Sequence, residues 1–451
     1  MANTYLKWTP SSAGERKKWT MSVWLKRSKI GTQSMIYNQY KDGNYYNSYL
    51  TIQSDDQLNF VNYAESTTAN IKTTRKFRDT SAWYHIVLAV DTTQGTASNR
   101  IKIYINGVQE TSFATATYPS QNLEMFANQT QPQQWGVQRF ASSSQGFFDG
   151  LMSYVAFVDG TAELPTIFGE TDSTTGQWKI KTGITPSVAW GNNGYLILKD
   201  GNSLSDQSSN SNNFSLGGGA ITKTEDCPDN VFNVFSDTTS KKAYTSEAGL
   251  KVSETASSWN LGVGGTIGAS SGKYYWEFYK TANSDNFIAG IIPSNEFHRL
   301  AESTAVAVYN NTNAIQIGAS TSWWYKIGTG SSTAISGYGH GSGSKSSGLF
   351  QFALDLTNKK MWIGKDGTWY NSGNPATGTN PLWTGSAVFP DDIYVPYWQG
   401  YGTVSGRFNF GGGSFGSDAV ASAGTNASGN GVFELDVPTG FTAISTKGIN
   451  L

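Results

Sequence analysis

Short runs in which every second residue is apolar recur along the whole chain. Trp19–Leu25 reads Trp-Thr-Met-Ser-Val-Trp-Leu, and Ile101–Ile105 reads Ile-Lys-Ile-Tyr-Ile. Alternation of this kind sends the three isoleucines to one face of a strand and Lys102 and Tyr104 to the other. One longer pattern occurs twice. An alternating strand ends in Asp, a polar turn follows, and a second alternating strand ends in Asn-Gly or Asp-Gly. The first copy is His85–Asp91 with Arg100–Gly107, and the second is Phe350–Asp355 with Lys360–Gly367. Asn-Gly and Asp-Gly supply the positive φ of tight hairpin turns. Two sandwiches built on one plan are expected.

Other strands fill in the two blocks. Tyr5–Trp8, Tyr49–Ile52, Leu58–Tyr63 and Leu151–Phe157 belong to the first. Lys273–Tyr279, Phe287–Ile292, Thr304–Tyr309 and Val404–Phe410 belong to the second. Few long runs lack Gly, Ser, Thr or Asn, so long helices are not expected; residues 162–170 predict a single helical turn with Pro165 near its start. The expected fold is all-β, with two antiparallel β-sandwiches, or jelly rolls, in tandem. Residues 1–165 form the first and 241–416 the second. Between them, 166–240 read as a Gly/Ser/Asn-rich bridge with short strands, and 417–451 as a Gly/Ser/Ala-rich C-terminal tail.

Composition narrows the function. Charged residues make up 14% of the 451 positions and the net charge is −1, against a usual charged share of about 25%. Lys and Arg are scattered, so there is no basic face for phosphate, and no nucleic-acid partner is expected. Cys227 is the single cysteine, which excludes an intramolecular disulfide. Residues 1–10 lack an apolar signal core, and no apolar run reaches the roughly 18 residues of a membrane helix, so neither export by a signal peptide nor membrane insertion is expected. Folding in a reducing cytoplasm is implied. Low charge and many aromatics suit use outside a cell, and a virion protein released by lysis satisfies both observations without a signal peptide; an ordinary cytosolic protein is the alternative.

The first block resembles the concanavalin A-like lectin family in its laminin-G and pentraxin-type branch. Trp83–Asp91 with Ile103–Gly107 is similar to that family's most recognisable strand pair, and Phe148–Leu151 with Val155–Phe157 to its closing strand. The second block resembles a SPRY domain, a related sandwich. Gly272–Glu277 matches its opening strand, Phe352–Asp355 with Met361–Trp369 its central hairpin, and Arg407–Gly411 with Phe415 its final strand. Ser347-Gly348 stands where the family usually has Gly-Asp, so its usual loop surface cannot be carried over. Both resemblances imply concanavalin A-like antiparallel sandwiches. Their order, with the segments Asp206–Phe214 and Asp226–Asn230, is similar to proteins of tailed bacteriophages. That resemblance implies a virion surface protein of the tail, fibre or capsid, a homo-oligomer contacting other virion proteins and a host-surface or environmental polysaccharide. A capsid decoration protein without ligand is the alternative, and a glycan depolymerase a further one.

Catalysis is not expected. Sandwich glucanases use Glu-x-Asp-x-x-Glu on one strand, where alternate residues flank one bond. Glu170-Thr171-Asp172 and Glu434-Leu435-Asp436 both lack the third carboxylate. His85, His298 and His340 are the only histidines; none lies in a triad or metal motif. Lys365–Trp369 superficially resembles a sialidase Asp-box, but its spacing is too tight and a hairpin explains it. No cofactor is expected; calcium, if bound, would fall to Asp91, Asn106, Asp149 and Asp159, each of which also suits a turn. Sugar recognition needs aromatic faces with amides and hydroxyls. Trp323, Trp324 and Tyr325 offer these, as do Tyr394, Tyr397, Trp398, Gln399 and Tyr401. A third stretch has Tyr37, Asn38, Gln39, Tyr40, Tyr45 and Tyr46 around Asp42-Gly43-Asn44. Core packing or a subunit interface would explain the same aromatics.

Overall fold

The computed structural model describes residues 3–41, 46–140, 143–174, 176–184, 188–199, 201, 203–236, 244–255, 262–280, 286–296, 313–319, 323–327, 330, 333–334, 348–390 and 392–450. Its contacts divide the chain into two units, Met1–Ile221 and Thr222–Leu451. Both are all-β, and among the described residues the only helical segments are short 3-10 turns such as Pro165–Ile167.

In the first unit one sheet has eight described strands. Their spatial order is Phe113–Thr117, Ser66–Lys76, Gln57–Ala64, Tyr46–Ile52, Ser34–Lys41, Gln133–Trp135, Tyr5–Trp8 and Ser215–Gly218. Facing it are six: Tyr195–Ile197, Gly150–Asp159, Lys18–Arg27, Tyr84–Asp91, Ile101–Ile105 and Val108–Gln109. Alternation holds as expected. Ile101, Ile103 and Ile105 join Ile86, Leu88 and Val90 in a core shared with Leu50, Ile52, Leu58 and Phe60 of the larger sheet.

The second unit repeats the plan. Tyr244–Ser246, Lys251–Glu254, Val404–Asn409, Lys273–Lys280, Gly348–Asp355, Lys360–Lys365 and Thr368–Trp369 follow one another across its larger sheet. Gly262–Gly264, Tyr394–Tyr401, Asn286–Pro293, Ile315–Ala319, Trp323–Ile327 and Thr333–Ala334 make the other. Tyr274, Trp276 and Phe278 point into its core, where Trp276 stacks on Phe352 at 5.1 Å. Both dipeptides of the doubled pattern are tight turns: Asn106 and Gly107 have φ of 49° and 81°, Asp366 and Gly367 of 49° and 84°. Successive positive φ values define the hairpin turn that matches strand twist. The Lys365–Trp369 segment is therefore hairpin.

Two expected boundaries differ. Residues 166–240 are not a free bridge. Tyr195–Ile197 pairs with Gly150–Asp159, and Ser215–Gly218 with Tyr5–Trp8. Phe168, Ile184 and Trp190 bury against Val87, Ala89, Tyr104, Ala156, Val158 and Leu196, the outer face of the six-stranded sheet. Beyond the division, Phe232, Val234 and Phe235 are buried in the second unit. Nor is 417–451 a loose tail. Thr442–Ala443 adds a parallel pairing to Lys273–Lys280, and Phe433, Val437 and Phe441 cover Tyr275, Ala353 and Trp362. An apolar outer face demands a cover, and a few well-spaced apolar residues supply it despite the Gly/Ser-rich composition.

Phe433 is 1% exposed and sits edge-on to Tyr275 at 4.9 Å. Phe433→Ala is expected to cost the second unit about 3–5 kcal/mol, read by denaturant unfolding; an unchanged midpoint would show that the C-terminal segment does not contribute to folding.

Candidate functional site

On the strands of the eight-stranded sheet, inward apolar residues alternate with outward amides and tyrosines. Leu50 and Ile52 face the core, so Asn47, Tyr49 and Thr51 face out. Leu58 and Phe60 likewise set Asn59, Val61 and Tyr63 outward, and Ala69 and Ile71 set Asn70 and Lys72. Register then aligns them. Gln134, Asn38, Tyr49, Val61 and Asn70 lie directly across from one another on five neighbouring strands, with exposed Lys7 and Thr117 at the ends of the row. Beside it run Tyr40, Asn47 and Tyr63 on one side, and Thr51, Asn59 and Lys72 on the other.

The amides here are under-used. The side-chain oxygens of Asn38, Asn47, Asn59 and Asn70 are buried, and none has a hydrogen-bond partner among the described residues. An unpaired buried carbonyl costs roughly 1–3 kcal/mol, so four on one sheet face are a standing set of acceptors. Between them Tyr40, Tyr49 and Tyr63 are half-buried, each leaving part of its surface to solvent. Burial raises the Tyr49 phenol above its ordinary pKa, so it stays a neutral donor. Among the described residues, the ion pair on this face joins Lys72 to Asp55 at 2.6 Å. Burial pushes Asp55 up, but hydrogen bonds from Lys72 and the Gln57 N–H outweigh it and hold the carboxyl below its usual range. Neutral acceptors beside partly exposed rings suit a ligand rich in hydroxyls and C–H faces.

The strand Tyr46–Ile52 also serves a second recess. Tyr46, Arg16, Lys41, Glu124, Phe126 and Gln129 line a hollow of about 240 Å³. Its groups are engaged: Arg16 Nη1 donates to Glu124 at 2.6 Å, and Tyr46 Oη to Glu65 at 2.6 Å.

The residues singled out from the sequence are dispersed. Tyr40 and Asn38 lie on the amide face; Tyr45 lies outside the described residues. Tyr397 and Trp398 are wholly buried, Trp398 in the core and Tyr397 donating to Gln316, so neither can meet a sugar. Tyr325 packs against Trp383 at 5.7 Å and Tyr370 at 6.4 Å. The side chains of Trp323 and Trp324 lie outside the described residues, and Tyr401 is a half-buried strand end. Asn47, Tyr49, Asn59, Tyr63, Asn70 and Gln134 were not singled out. Their signal was a polar or tyrosine side chain at most off-core positions of these strands, Val61 being an exception.

The calcium candidates are each committed to backbone or neighbours. Asp91 accepts from Thr93 N at 3.0 Å, and Asn106 Oδ1 from His85 N at 2.8 Å. Asp149 accepts from Ser28 Oγ at 2.5 Å, and Asp159 from Glu15 N at 2.7 Å and Asn128 Nδ2 at 2.6 Å. They fall two to each end of the six-stranded sheet, and among the described residues no three acidic, His or Cys side chains cluster. Glu170 and Asp172 share Lys179, at 3.7 and 3.0 Å. Glu434 and Asp436 accept from Ala421 N and Thr425 N at 2.8 and 2.6 Å.

His85 comes nearest to a catalytic geometry. Its Nε2 lies 2.8 Å from Ser22 Oγ. On its other side, however, Trp178 Nε1–H donates to Nδ1 at 2.9 Å. A general-base histidine needs Nδ1–H held by a carboxylate; here Nδ1 is an acceptor, and Nε2–H must donate to Ser22. The ring is fully buried and stacked on Trp24 at 4.6 Å. Desolvation lowers its pKa to about 3. A Cβ added at Gly107 or Gly169 would meet the Trp178 ring at 2.5 Å, so the Asn-Gly turn also seats this tryptophan. His298 and His340 lie outside the described residues.

Residues 1–167 match the family model described as the concanavalin A-like lectin/glucanases superfamily. No curated protein matches the chain. Similar solved structures include the native heptameric SAP-like pentraxin of Limulus polyphemus, 14% identical over 36% of this chain and 71% of that one, with a TM-score of 0.28. The SPRY domain of human HERC1 is 12% identical over 39% of this chain and 96% of its own, with a TM-score of 0.27. Domains LG4-5 of the mouse laminin alpha1 chain are 9% identical over 97% and 92%, with a TM-score of 0.30. The sandwich architecture itself rests on the strand order and packing above. Among the described residues no helix is long and apolar enough to cross a membrane.

Because the His85 pKa is lower folded than unfolded, its contribution to stability is complete above about pH 6.5 and is lost as pH falls toward 3. The unfolding temperature of the first unit is expected to drop between pH 6.5 and 4, and to drop less in His85→Gln. Equal pH dependence in the two proteins would contradict this assignment.

Proposed function

We propose that the first unit is a non-enzymatic glycan-binding module whose contact surface is the amide and tyrosine face of its eight-stranded sheet. The observation that carries this reading is the set of four buried, unpartnered Asn oxygens interleaved with Tyr40, Tyr49 and Tyr63. Sugar hydroxyls donate to those oxygens, and pyranose C–H faces stack on the rings. The lectin description of the superfamily matched by residues 1–167 supports the same class of ligand. No catalytic step is proposed, because the carboxylates and the one described histidine are engaged in structural hydrogen bonds. The setting we propose is the surface of a tailed-phage particle, in an oligomer with other virion proteins, where the ligand is a host-surface polysaccharide. Support for that setting is the order of the two sandwiches with the Asp206–Phe214 and Asp226–Asn230 segments.

Purified protein is expected to bind immobilised bacterial surface polysaccharides on a glycan array. Tyr49→Ala should weaken that binding at least tenfold, with an unfolding temperature within a few degrees of wild type. If no glycan is retained, or Tyr49→Ala and Tyr63→Ala bind as wild type does, the face serves assembly instead.

A binding residue kept at the expense of stability gives a second test. Asn59→Val removes an unpaired buried oxygen from a strand and should raise unfolding free energy by about 1 kcal/mol while weakening glycan retention. A variant that loses stability would show Asn59 to be a structural residue.

A further inference from the structure

The second unit carries a buried carboxyl outside any proposed site. Glu277 lies on the outward face of Lys273–Lys280, beneath residues 424–445, and is 0% exposed. Its Oε1 accepts from Leu435 N at 2.8 Å and Tyr275 Oη at 3.1 Å; its Oε2 accepts from Glu434 N at 3.0 Å and Asn409 Nδ2 at 3.2 Å. Two of the four donors are thus backbone groups of the covering segment. Asn409 adds a third tie, donating to Val432 O at 3.0 Å.

The nearest neighbours of Glu277 in the sheet are uncharged. On its own strand the titratable neighbour is Tyr275. Across the sheet lie Asn409 on one side and Gln351 on the other, and Arg407, next along, is held by Glu247 and Asp418. From the covering segment come Glu434 and Asp436, whose carboxylates turn to Ala421 N and Thr425 N. Among the described residues no cation pairs with Glu277.

We propose that residues 424–445 form a pH-sensitive strap, latched by the Glu277 carboxyl, that loosens from the larger sheet of the second unit as the medium passes from acidic to alkaline. The physical basis is that ionisation places a charge under the strap with no counter-charge, and lifting the strap lets water solvate it. Burial raises the Glu277 pKa to about 7 against four donors that oppose the shift. The sign follows: the closed state holds its proton more tightly than the open one, so closure is most stable below about pH 4.5 and weakens as pH rises through about 7. Opening would uncover Tyr275, Ala353 and Trp362, on which Phe433, Val437 and Phe441 now rest.

Hydrogen exchange of the full chain, followed by mass spectrometry and corrected for the intrinsic pH dependence of exchange, tests this. In wild type the opening equilibrium of 424–445 is expected to rise roughly seventyfold from pH 5 to pH 8, while the strands Gly348–Asp355 and Lys360–Lys365 stay protected. Glu277→Gln, which mimics the protonated acid, should remove that rise. Tyr275→Phe, which deletes one donor and keeps the ring, should move the midpoint to higher pH, and it supplies the test if the glutamine variant does not fold. Protection of 424–445 that is flat with pH in wild type, or that changes equally in wild type and both variants, would overturn the proposal.

Discussion

A strand has two faces, and a sandwich uses only one face of each sheet for its core; what happens to the other face organises this protein. In the first unit the outer face of the six-stranded sheet is apolar, with Val87, Ala89, Ala156, Val158 and Leu196, and the chain after Asp159 returns to cover it with Phe168, Ile184 and Trp190. In the second unit Tyr275, Ala353 and Trp362 are covered by the C-terminal segment. On the eight-stranded sheet the same positions hold Asn and Tyr, and it is there that the acceptors stand unpaired. Covering segments and candidate binding face are therefore alternative answers to one geometric constraint.

Each cover is fixed by a buried titratable group that acts as an acceptor. His85 receives the indole N–H of Trp178, and Glu277 receives the backbone N–H groups of Glu434 and Leu435. Neither geometry offers a reacting atom to solvent. The difference between them is electrical. Burial keeps the imidazole in its uncharged form across the neutral range, whereas the carboxyl is carried into that range. A neutral latch holds at physiological pH, and a titrating one responds to it.

The amide and tyrosine face is nearly uncharged: Lys72 pairs with Asp55, and Lys7 stands at the end of the row. Recognition by neutral amides and rings depends little on salt, because no long-range field is involved. It depends instead on register: a one-residue slip of Gln57–Ala64 would turn Asn59 and Val61 inward and send Phe60 out. Inward packing of Leu50, Ile52, Leu58 and Phe60 is what holds the face in alignment.

Period-two alternation and the two Asn-Gly and Asp-Gly steps made the sandwiches, their cores and their hairpins legible, since strand faces and positive φ are local properties of residue type. Asn38 and Tyr40 were visible as sugar-compatible residues for the same reason. The rest was not local. Trp398 and Tyr397 have the composition of a binding patch, yet both are buried, because burial depends on which elements lie above a strand. Gly/Ser-rich stretches read as bridge and tail, yet Trp190, Phe433 and Phe441 make them covers. Asn47, Asn59, Asn70 and Gln134 belong to four strands separated in sequence, and only cross-strand pairing brings them beside Asn38. Residue chemistry chose the strands and their two faces; tertiary pairing decided which faces were covered and which amides were left without partners.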